Sequence, residues 1–210
     1  MAGNVAGILL AAGPGSRLGQ PKALIMLGGQ SLARRGIALL RDGGADPVIV
    51  VTGAAGPDAL GPGPGGAVLD GVITVHNPSW RTGMGSSLAI GLAAVPYQAD
   101  AAVLALADQP LVGPAAVRRL MSAHADGASV AVACYQGRPR NPVLIAREHW
   151  PEVAGLAAGT DAGARPFLRA RPDLVTLVEC GDTGRPDDID TPEDLALVEG
   201  LLAGPTPFPT

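Results

Sequence analysis

Runs of apolar residues alternate along this chain with segments whose apolar positions recur at helical spacing. The apolar runs are short and bounded by glycine, proline or aspartate, which is typical of buried strands. They predict strands over residues 5–12, 48–51, 72–76, 101–107, 129–135 and 174–179, and helices over residues 31–41, 86–95, 114–125 and 191–202. Strands that alternate with helices favour βαβ units. We therefore predict an α/β fold of three layers, α/β/α, around a mainly parallel sheet.

The length of 210 residues suits one domain with a substantial core. We find no internal repeat and no domain boundary, so residues 1–203 are predicted to form a single domain. Residues 204–210 contain three prolines and are expected to form a flexible C-terminal tail. Residues 54–66 are rich in glycine, proline and alanine, and we expect an exposed, mobile loop there instead of a helix.

The loop that follows the first predicted strand has the composition of a phosphate-binding loop. Gly13, Gly15 and Ser16 allow the backbone N–H groups to approach an anion closely, and Arg17 and Lys22 add positive charge. Lys22 is the one lysine in the chain, since the other cationic side chains are all arginine. A glycine-rich turn after a first strand is also common in α/β proteins that bind no phosphate. The positive charges of Arg17 and Lys22 favour binding of a triphosphate.

Two familiar phosphate-binding motifs do not fit this loop. A Walker A motif requires Gly-Lys-Ser/Thr at the start of a helix, whereas Lys22 lies between Pro21 and Ala23. The dinucleotide-binding fingerprint requires a third glycine where this chain has Leu18, and an acidic residue after the second strand, which residues 47–53 lack. A dehydrogenase of the usual dinucleotide-binding type is therefore not expected.

Two carboxylates are candidate metal ligands. Asp108 directly follows the predicted strand 101–107, and Asp190 precedes the last predicted helix. Ligands of open parallel sheets bind beyond the carboxyl ends of the strands, where Asp108 is expected to lie. Mg²⁺ is commonly held by one or two carboxylates together with substrate phosphates. The alternatives are that Asp108 forms a turn before Pro110 and that Asp190 complements a helix dipole.

The segment 77–88 is a candidate surface for a nucleobase. Gly83 and Gly85 would allow close approach of a planar base, and Ser86 and Ser87 offer hydroxyl groups. Without any family in mind, Ser86 is interpreted as the N-cap of the helix 86–95. Trp80 is either a wall of the substrate site or a half-buried core aromatic.

Composition narrows the class of protein further. A net charge of −4 without a basic cluster argues against nucleic-acid binding, and three scattered histidines give no zinc-binding spacing. No apolar stretch reaches the length of a membrane span, and no basic segment precedes the first apolar run. Cys134 and Cys180 are expected to be buried, reduced thiols. We expect a cytoplasmic protein that is not associated with a membrane.

Together these residues resemble the molybdenum cofactor cytidylyltransferase branch of the MobA-like nucleotidyltransferase superfamily, and the resemblance spans nearly the whole chain. The shared motifs are Leu10-Ala-Ala-Gly-Pro-Gly-Ser-Arg-Leu-Gly19, Pro21-Lys22, Asn77-Pro-Ser-Trp80, Gly83-Met-Gly-Ser-Ser-Leu88, Asp108-Gln-Pro110 and Asp188-Ile-Asp-Thr-Pro-Glu-Asp-Leu195. The first motif is common to many nucleotidyltransferases, whereas Gly83–Leu88 and Asp108–Pro110 are more specific to the branch. Residues 137–143 and 161–165 are similar to its substrate-side segments, although Asn141 stands where the branch has a histidine.

The resemblance implies a Rossmann-like sheet and a reaction. A terminal phosphate of molybdopterin, with or without molybdenum, attacks the α-phosphorus of CTP, or GTP in a related branch, and releases pyrophosphate. It implies Mg²⁺ as the cofactor and a molybdoenzyme as the recipient of the product. The implied residues are Arg17, Lys22 and Asp108 for catalysis; Leu10, Ala11, Ala12, Gly13, Gly15, Ser16, Arg17, Lys22, Gly83, Ser86 and Ser87 for the nucleotide; Asn141, Asp161 and Arg165 for the acceptor; and Asp108 and Asp190 for the metal.

Two other functions remain open at this point. A cytidylyl- or guanylyltransferase with another phosphorylated acceptor, such as a sugar, a polyol or phospholactate, would have a similar N-terminal half. A protein without catalytic activity could instead deliver the cofactor to a molybdoenzyme. The combination of Arg17, Lys22 and Asp108 disfavours a pure binding protein, which has less need of a metal-binding carboxylate.

Overall fold

The fold is described from a computed structural model, in which residues 4–58, 60 and 71–203 are defined. Over these residues the strands are β1 (Asn4–Ala11), β2 (Met26–Leu27), β3 (Gln30–Ser31), β4 (Val48–Thr52), β5 (Val72–His76), β6 (Ala99–Leu106), β7 (Val130–Tyr135), β8 (Arg138–Ala146) and β9 (Val175–Glu179). The helices are α1 (Leu32–Asp42), α2 (Met84–Ala93), α3 (Pro114–Ala125), α4 (Trp150–Ala157), α5 (Arg165–Ala170) and α6 (Pro192–Ala203). These strands and helices alternate along most of the chain, which confirms the predicted α/β fold.

The central sheet has the strand order β5-β4-β1-β6-β8-β7-β9. The strands β5, β4, β1 and β6 are parallel to one another, and β7 and β9 are parallel to each other. Only β8 runs antiparallel to both of its neighbours, β6 and β7. The predicted mainly parallel sheet is therefore confirmed, with one reversed strand in its interior.

The three layers follow from the alternation of side chains along the strands. On β1, Leu9 faces α1 and α3 and packs with Leu40 and Leu120, whereas Ile8 belongs to the opposite core that includes Leu88 of α2. All of these side chains are buried. Strands that are apolar on both faces are expected where helices cover both sides of a sheet.

A third, smaller hydrophobic cluster joins two segments that are far apart in the chain. Ile25 and Leu27 from the β2–β3 region pack with Ile189 and with Val198 of α6. The cluster fixes the segment before α6 against the segment after the first loop. Residues 25–27 and 189 thereby hold their neighbours, Lys22 and Asp190, close to each other.

Several elements differ from the sequence prediction. Strand β8 was not predicted, because Pro139 and Pro142 interrupt its apolar pattern. Gln136 and Gly137 both have positive φ and form the tight turn that makes β7 and β8 a hairpin. The short helices α4 and α5 and the β2–β3 hairpin were also not predicted.

The two regions that were expected to be irregular lie largely outside the described residues. Residues 204–210, the predicted tail, lie wholly outside them, and so do residues 59 and 61–70. Residues 54, 55, 57 and 58 are in turns, and no helix includes residues 54–58, in agreement with the prediction for that part of the loop. No helix in the described part of the chain is long and apolar enough to cross a membrane.

Candidate nucleotide-binding site

A cleft of about 230 Å³ lies beyond the carboxyl ends of β1 and β6, at the edge of the sheet where ligands of α/β proteins bind. Its walls come from the segment after β1, the N-terminus of α2 and the segment after β6. The lining residues are Leu10, Ala11, Ala12, Gly13, Pro14, Lys22, Trp80, Met84, Ser87, Leu106, Ala107, Asp108 and Asp161. The structure thus brings together residues from all three predicted constellations.

The first loop closes on itself next to this cleft. Gly15 has φ of 59°, and a side chain there would collide with the carbonyl oxygen of Gln20. The N–H of Lys22 donates to the carbonyl oxygen of Gly13 at 3.3 Å, which closes the loop at its base. A short 3₁₀ turn, Ser16–Leu18, forms the tip, and the Arg17 side chain is exposed there. Gly13 and Lys22 line the cleft, whereas Gly15, Ser16 and Arg17 lie on the part of the loop that extends beyond it.

Lys22 lies between the two predicted metal ligands. Its Nζ donates to Oδ2 of Asp108 at 2.6 Å and to Oδ1 of Asp190 at 2.5 Å. The Lys22 and Asp108 side chains are 17% and 21% exposed, so this ion pair is largely shielded from solvent. Burial disfavours the ammonium, but the carboxylates of Asp108 and Asp190 outweigh it and raise the pKa of Lys22 above its usual value. The lysine is therefore fully charged at neutral pH.

Hydrogen bonds made by the neighbouring residues hold Asp190 opposite Asp108. The N–H of Ile189 donates to the carbonyl oxygen of Asp108 at 2.8 Å. Gln109, which is buried, donates from Nε2 to Oδ1 of Asp188 at 2.9 Å. Partial desolvation and the neighbouring Asp108 carboxylate raise the pKa of Asp188. Sequence analysis did not assign Gln109 a role, although its place inside the Asp108–Pro110 motif was a signal.

The two carboxylates fit a divalent cation. Their oxygens converge on one cation, Nζ of Lys22, so both can reach a single ion. Within residues 4–58, 60 and 71–203 there is no group of three or more His, Cys, Asp or Glu side chains that could hold a metal. A metal bound by Asp108 and Asp190 would consequently need further oxygen ligands from substrate phosphates and water, as Mg²⁺ commonly does.

The predicted nucleobase surface is arranged differently from expectation. Helix α2 begins at Met84 with Gly83 as its N-cap, so the interpretation of Ser86 as the N-cap is wrong. Ser87 lines the cleft, whereas Gly83 and Ser86 do not. Gly83 has φ of 111°, and a side chain there would lie 2.5 Å from the carbonyl oxygen of Thr160. This glycine is required by close backbone packing, a reason that the sequence did not reveal.

Asn77 lies behind the N-terminal turn of α2; it belongs to the Asn77–Trp80 motif, but no role was predicted for it. It is completely buried, and its Nδ2 donates to Oγ of Ser86 at 2.8 Å and to Oγ of Ser87 at 2.9 Å. Trp80 forms a half-buried wall of the cleft, with the Arg81 guanidinium 4.3 Å from its ring centroid. Trp80 therefore belongs to the site and not to the core.

The predicted acceptor residues are divided between two cavities. Asp161 lines the nucleotide cleft, and its Oδ1 accepts a hydrogen bond from the N–H of Met84 at 3.0 Å. Asn141 and Arg165 instead line a separate cavity of about 830 Å³, together with Gln109 and Asp188. The hairpin of β7 and β8 causes this division, because it inserts Asn141 between β6 and the outer strands.

Comparison with known proteins agrees with this geometry. A family model described as the MobA-like NTP transferase domain matches residues 7–175. A protein named nicotine blue oxidoreductase, from Paenarthrobacter nicotinovorans, is 37% identical over 199 residues, which cover 91% of this chain and 94% of that protein.

Solved structures show the same architecture. Rv0371c from Mycobacterium tuberculosis H37Rv is 27% identical and has a TM-score of 0.77, over 95% of this chain and 100% of that chain. A second structure of Rv0371c is a complex with manganese; it is 26% identical and has a TM-score of 0.72, over 94% of this chain and 98% of that chain.

Proposed function

The chain belongs to the family of MobA-like NTP transferase domains, and on this premise we propose that it transfers CMP from CTP to the terminal phosphate of molybdopterin. The family supports a nucleotidyltransferase, while the choice of CTP and of a pterin acceptor is our proposal. The observation that carries it is the convergence of Lys22, Asp108 and Asp190 beside the glycine-rich loop. Nucleotidyl transfer depends on positioning and on neutralisation of phosphate charge, and these groups supply both.

In the proposed reaction an oxygen of the acceptor's phosphate forms a bond to the α-phosphorus of CTP. The bond from that phosphorus to the bridging oxygen of the β-phosphate breaks, and pyrophosphate leaves. Lys22 stabilises charge on the α-phosphate, and Arg17 with the N–H groups of Gly13, Gly15 and Ser16 stabilises the departing pyrophosphate. A phosphate nucleophile is already ionised at neutral pH, so no side chain has to remove a proton.

Asp108 and Asp190 would hold the divalent metal, which we propose to be Mg²⁺. The ion would supply neutralisation of the substrate phosphates. Support comes from the convergence of the two carboxylates and from the manganese complex of Rv0371c. Asp190 is held in place through its own N–H, which donates to Oδ2 of Asp194 at 3.0 Å.

The cavity lined by Asn141 and Arg165 supports a phosphorylated heterocycle as the acceptor. It combines guanidinium groups with apolar side chains such as Val143 and Leu168. Within the described part of the chain, neither Arg165 nor Arg169 forms an ion pair, which leaves their charge available to an anion. The guanidinium groups suit a phosphate, and the apolar side chains suit a flat ring system.

Pyrophosphate release tests the proposal. Purified protein is incubated with Mg²⁺, a molybdopterin acceptor, and either CTP or GTP. We expect release with CTP that depends on the acceptor. Lys22→Ala and Asp108→Ala should each lower turnover by at least about two orders of magnitude, as loss of an electrostatic stabiliser does. Asp126→Ala, an exposed aspartate after α3, should retain turnover.

The outcomes separate the alternatives. GTP preference would keep the mechanism and change the branch, and release only with another phosphorylated acceptor would replace the pterin. Near-normal turnover of Lys22→Ala or Asp108→Ala would overturn the mechanism. No release with any acceptor would favour a carrier protein.

A second candidate is oxidoreductase activity, favoured by the 37% identical relative named nicotine blue oxidoreductase. Against it, Leu18 replaces the third glycine of the usual dinucleotide-binding fingerprint. Incubation with nicotine blue and either NADH or NADPH decides: oxidation of either cofactor that depends on the dye would support this candidate, and no oxidation of either one alongside pyrophosphate release would argue against it.

A further inference from the structure

Asn77 has its amide oriented unambiguously by its neighbours. Its side-chain oxygen, Oδ1, accepts a hydrogen bond from the backbone N–H of Ser79 at 2.9 Å. A backbone N–H can only donate, so the oxygen must lie on this side and the NH₂ group on the other. The two hydrogens of that NH₂ group are therefore directed to Ser86 and Ser87, whose hydroxyl oxygens lie 2.8 and 2.9 Å away.

The two serines differ in whether the protein offers an acceptor to the hydroxyl hydrogen. A hydroxyl that accepts from Asn77 still has one hydrogen to donate. Ser86 has two carbonyl oxygens within reach, those of Gly83 at 2.8 Å and Ser79 at 3.2 Å. Within residues 4–58, 60 and 71–203, Ser87 has no such acceptor.

Ser87 is the serine that lines the cleft. It is 2% exposed, so its hydroxyl hydrogen is almost completely removed from solvent. A buried donor without an acceptor is costly, and such groups usually have a ligand or an ordered water as partner. Asn77 occupies one acceptor position of the Ser87 oxygen, and the hydroxyl hydrogen has no acceptor in the described part of the chain, so it is left for a partner in the cleft.

We propose that Asn77 is a positioning residue for nucleobase binding: it orients Ser87 so that its hydroxyl donates a hydrogen bond to an acceptor on the base. The acceptor is a carbonyl oxygen or an unprotonated ring nitrogen, such as O2 or N3 of cytosine or O6 or N7 of guanine. This inference rests on the proposed function only in that a nucleotide occupies the cleft. It adds a role for Asn77, which contacts no substrate itself.

Binding of a nucleotide and of inorganic tripolyphosphate, measured by calorimetry, tests the inference. Tripolyphosphate carries the phosphates without a base and so reports on Lys22 and the first loop alone. For Ser87→Ala we expect about tenfold weaker binding of whichever of CTP and GTP the wild type prefers, the usual scale for one hydrogen bond. Binding of tripolyphosphate should remain within about twofold of wild type. Ser86→Ala is the matched comparison: Ser86 accepts from the same amide but does not line the cleft, so its loss of nucleotide affinity should be smaller than that of Ser87→Ala.

Asn77→Asp tests the polarity directly. A carboxylate accepts and cannot donate, so the Ser87 hydroxyl would donate to it and present an oxygen lone pair to the cleft. We expect the same loss of about tenfold in nucleotide affinity, and no further loss in the double variant Asn77→Asp, Ser87→Ala. Thermal denaturation checks the fold of each variant. If Asn77→Asp does not fold, the comparison of Ser87→Ala with Ser86→Ala decides by itself.

Three results would overturn the inference. These are unchanged nucleotide affinity in Ser87→Ala, equal losses in Ser86→Ala and Ser87→Ala, and an equal loss for tripolyphosphate. The pyrophosphate assay is independent of these measurements. Base-dependent binding without pyrophosphate release would refute the proposed function and leave the inference standing, and release with no role for Ser87 in binding would do the reverse.

Discussion

At the scale of single residues, the site is defined by one ammonium group shared between two carboxylates. Lys22 Nζ takes the space between Asp108 and Asp190, where a cation that bridges both would have to lie. Two cations cannot share that space at these distances. A metal that binds to both carboxylates must therefore displace the lysine, whose four-carbon stem allows it to swing to a phosphate nearby.

This geometry predicts competition between Lys22 and a divalent metal. In Lys22→Met, the protein without nucleotide should bind Mn²⁺ about tenfold more tightly than the wild type, because removal of a nearby positive charge favours the cation. Lys22→Arg keeps the charge and should bind Mn²⁺ weakly, like the wild type. Titration of free Mn²⁺ by electron paramagnetic resonance measures both. Equal or weaker binding by Lys22→Met would contradict the competition.

At the scale of elements, the N-terminus of α2 interlocks with the segment between α4 and α5. The N–H of Gly85 donates to the carbonyl oxygen of Thr160 at 2.9 Å, and Asp161 accepts from Met84 at 3.0 Å. A side chain on Gly85 would collide with the carbonyl oxygen of Ala157, which is backbone and cannot move away easily. The wall that carries Ser87 is thus fixed by packing against a neighbouring segment.

Gly85→Ala should destabilise the protein and widen the cleft. Overpacking typically costs about 1–3 kcal/mol, so we expect a clear decrease in the free energy of unfolding measured with urea. Gly155→Ala is the matched control, because Gly155 in α4 has no atom near an added side chain. Alanine should stabilise that helix by roughly 0.5–1 kcal/mol. Equal effects of the two substitutions would argue against the interlock.

The N-terminus of α6 gives a pH-dependent prediction. Three hydrogen bonds, from the N–H groups of Asp190 and Thr191 and from the Thr191 hydroxyl, lower the pKa of Asp194. A lowered pKa in the folded state means that Asp194 stabilises the protein above the ordinary pKa of aspartate and loses this effect as pH falls through the lowered value. Asp194→Ala should therefore lower Tm at neutral pH, with a difference that shrinks in strong acid. Glu193→Ala, the exposed neighbour, should show a smaller change, and a pH-independent difference for Asp194→Ala would contradict the assignment.

At the scale of the whole molecule, the sheet order places two cavities side by side along one edge. The parallel strands β4, β1 and β6 form the half that carries the nucleotide cleft, while the reversed strand β8 brings Asn141 and Arg140 to a second cavity beside it. Asp108 lines the first cavity, and its neighbour Gln109 lines the second. The consecutive residues Asp108 and Gln109 thus place the two cavities next to each other at this edge of the sheet.

Much of this architecture could be predicted from the sequence, and the failures have physical causes. Buried strands such as β1 and β6 were predicted because they are apolar on both faces. Strand β8 was not, because proline at positions 139 and 142 normally excludes a strand interior. The ion pair of Lys22 with Asp190 joins positions that are far apart in the chain, and no local pattern encodes such a contact. The hydrogen bonds of Asn77 depend on the orientation of an amide, which only the three-dimensional arrangement defines.

The core of the whole molecule also makes a prediction for its two thiols. Cys134 and Cys180 are both free and buried, and burial raises the pKa of Cys180. Only unfolding should expose them, so native protein should react slowly with a thiol reagent, and two thiols should react on denaturation. Fast reaction of either thiol in native protein would show that the sheet opens locally.

The shared ammonium also has a consequence for how ligands assemble in the site. Lys22, Asp108 and Asp190 together carry one net negative charge, which a divalent ion converts to one net positive charge. Binding of the triphosphate makes the net charge negative again. Each ligand thus leaves a net charge that attracts the next one. Thermodynamic linkage requires that the metal and the nucleotide strengthen each other's binding by the same factor. We therefore expect the metal and the nucleotide to bind cooperatively, each more tightly when the other is present.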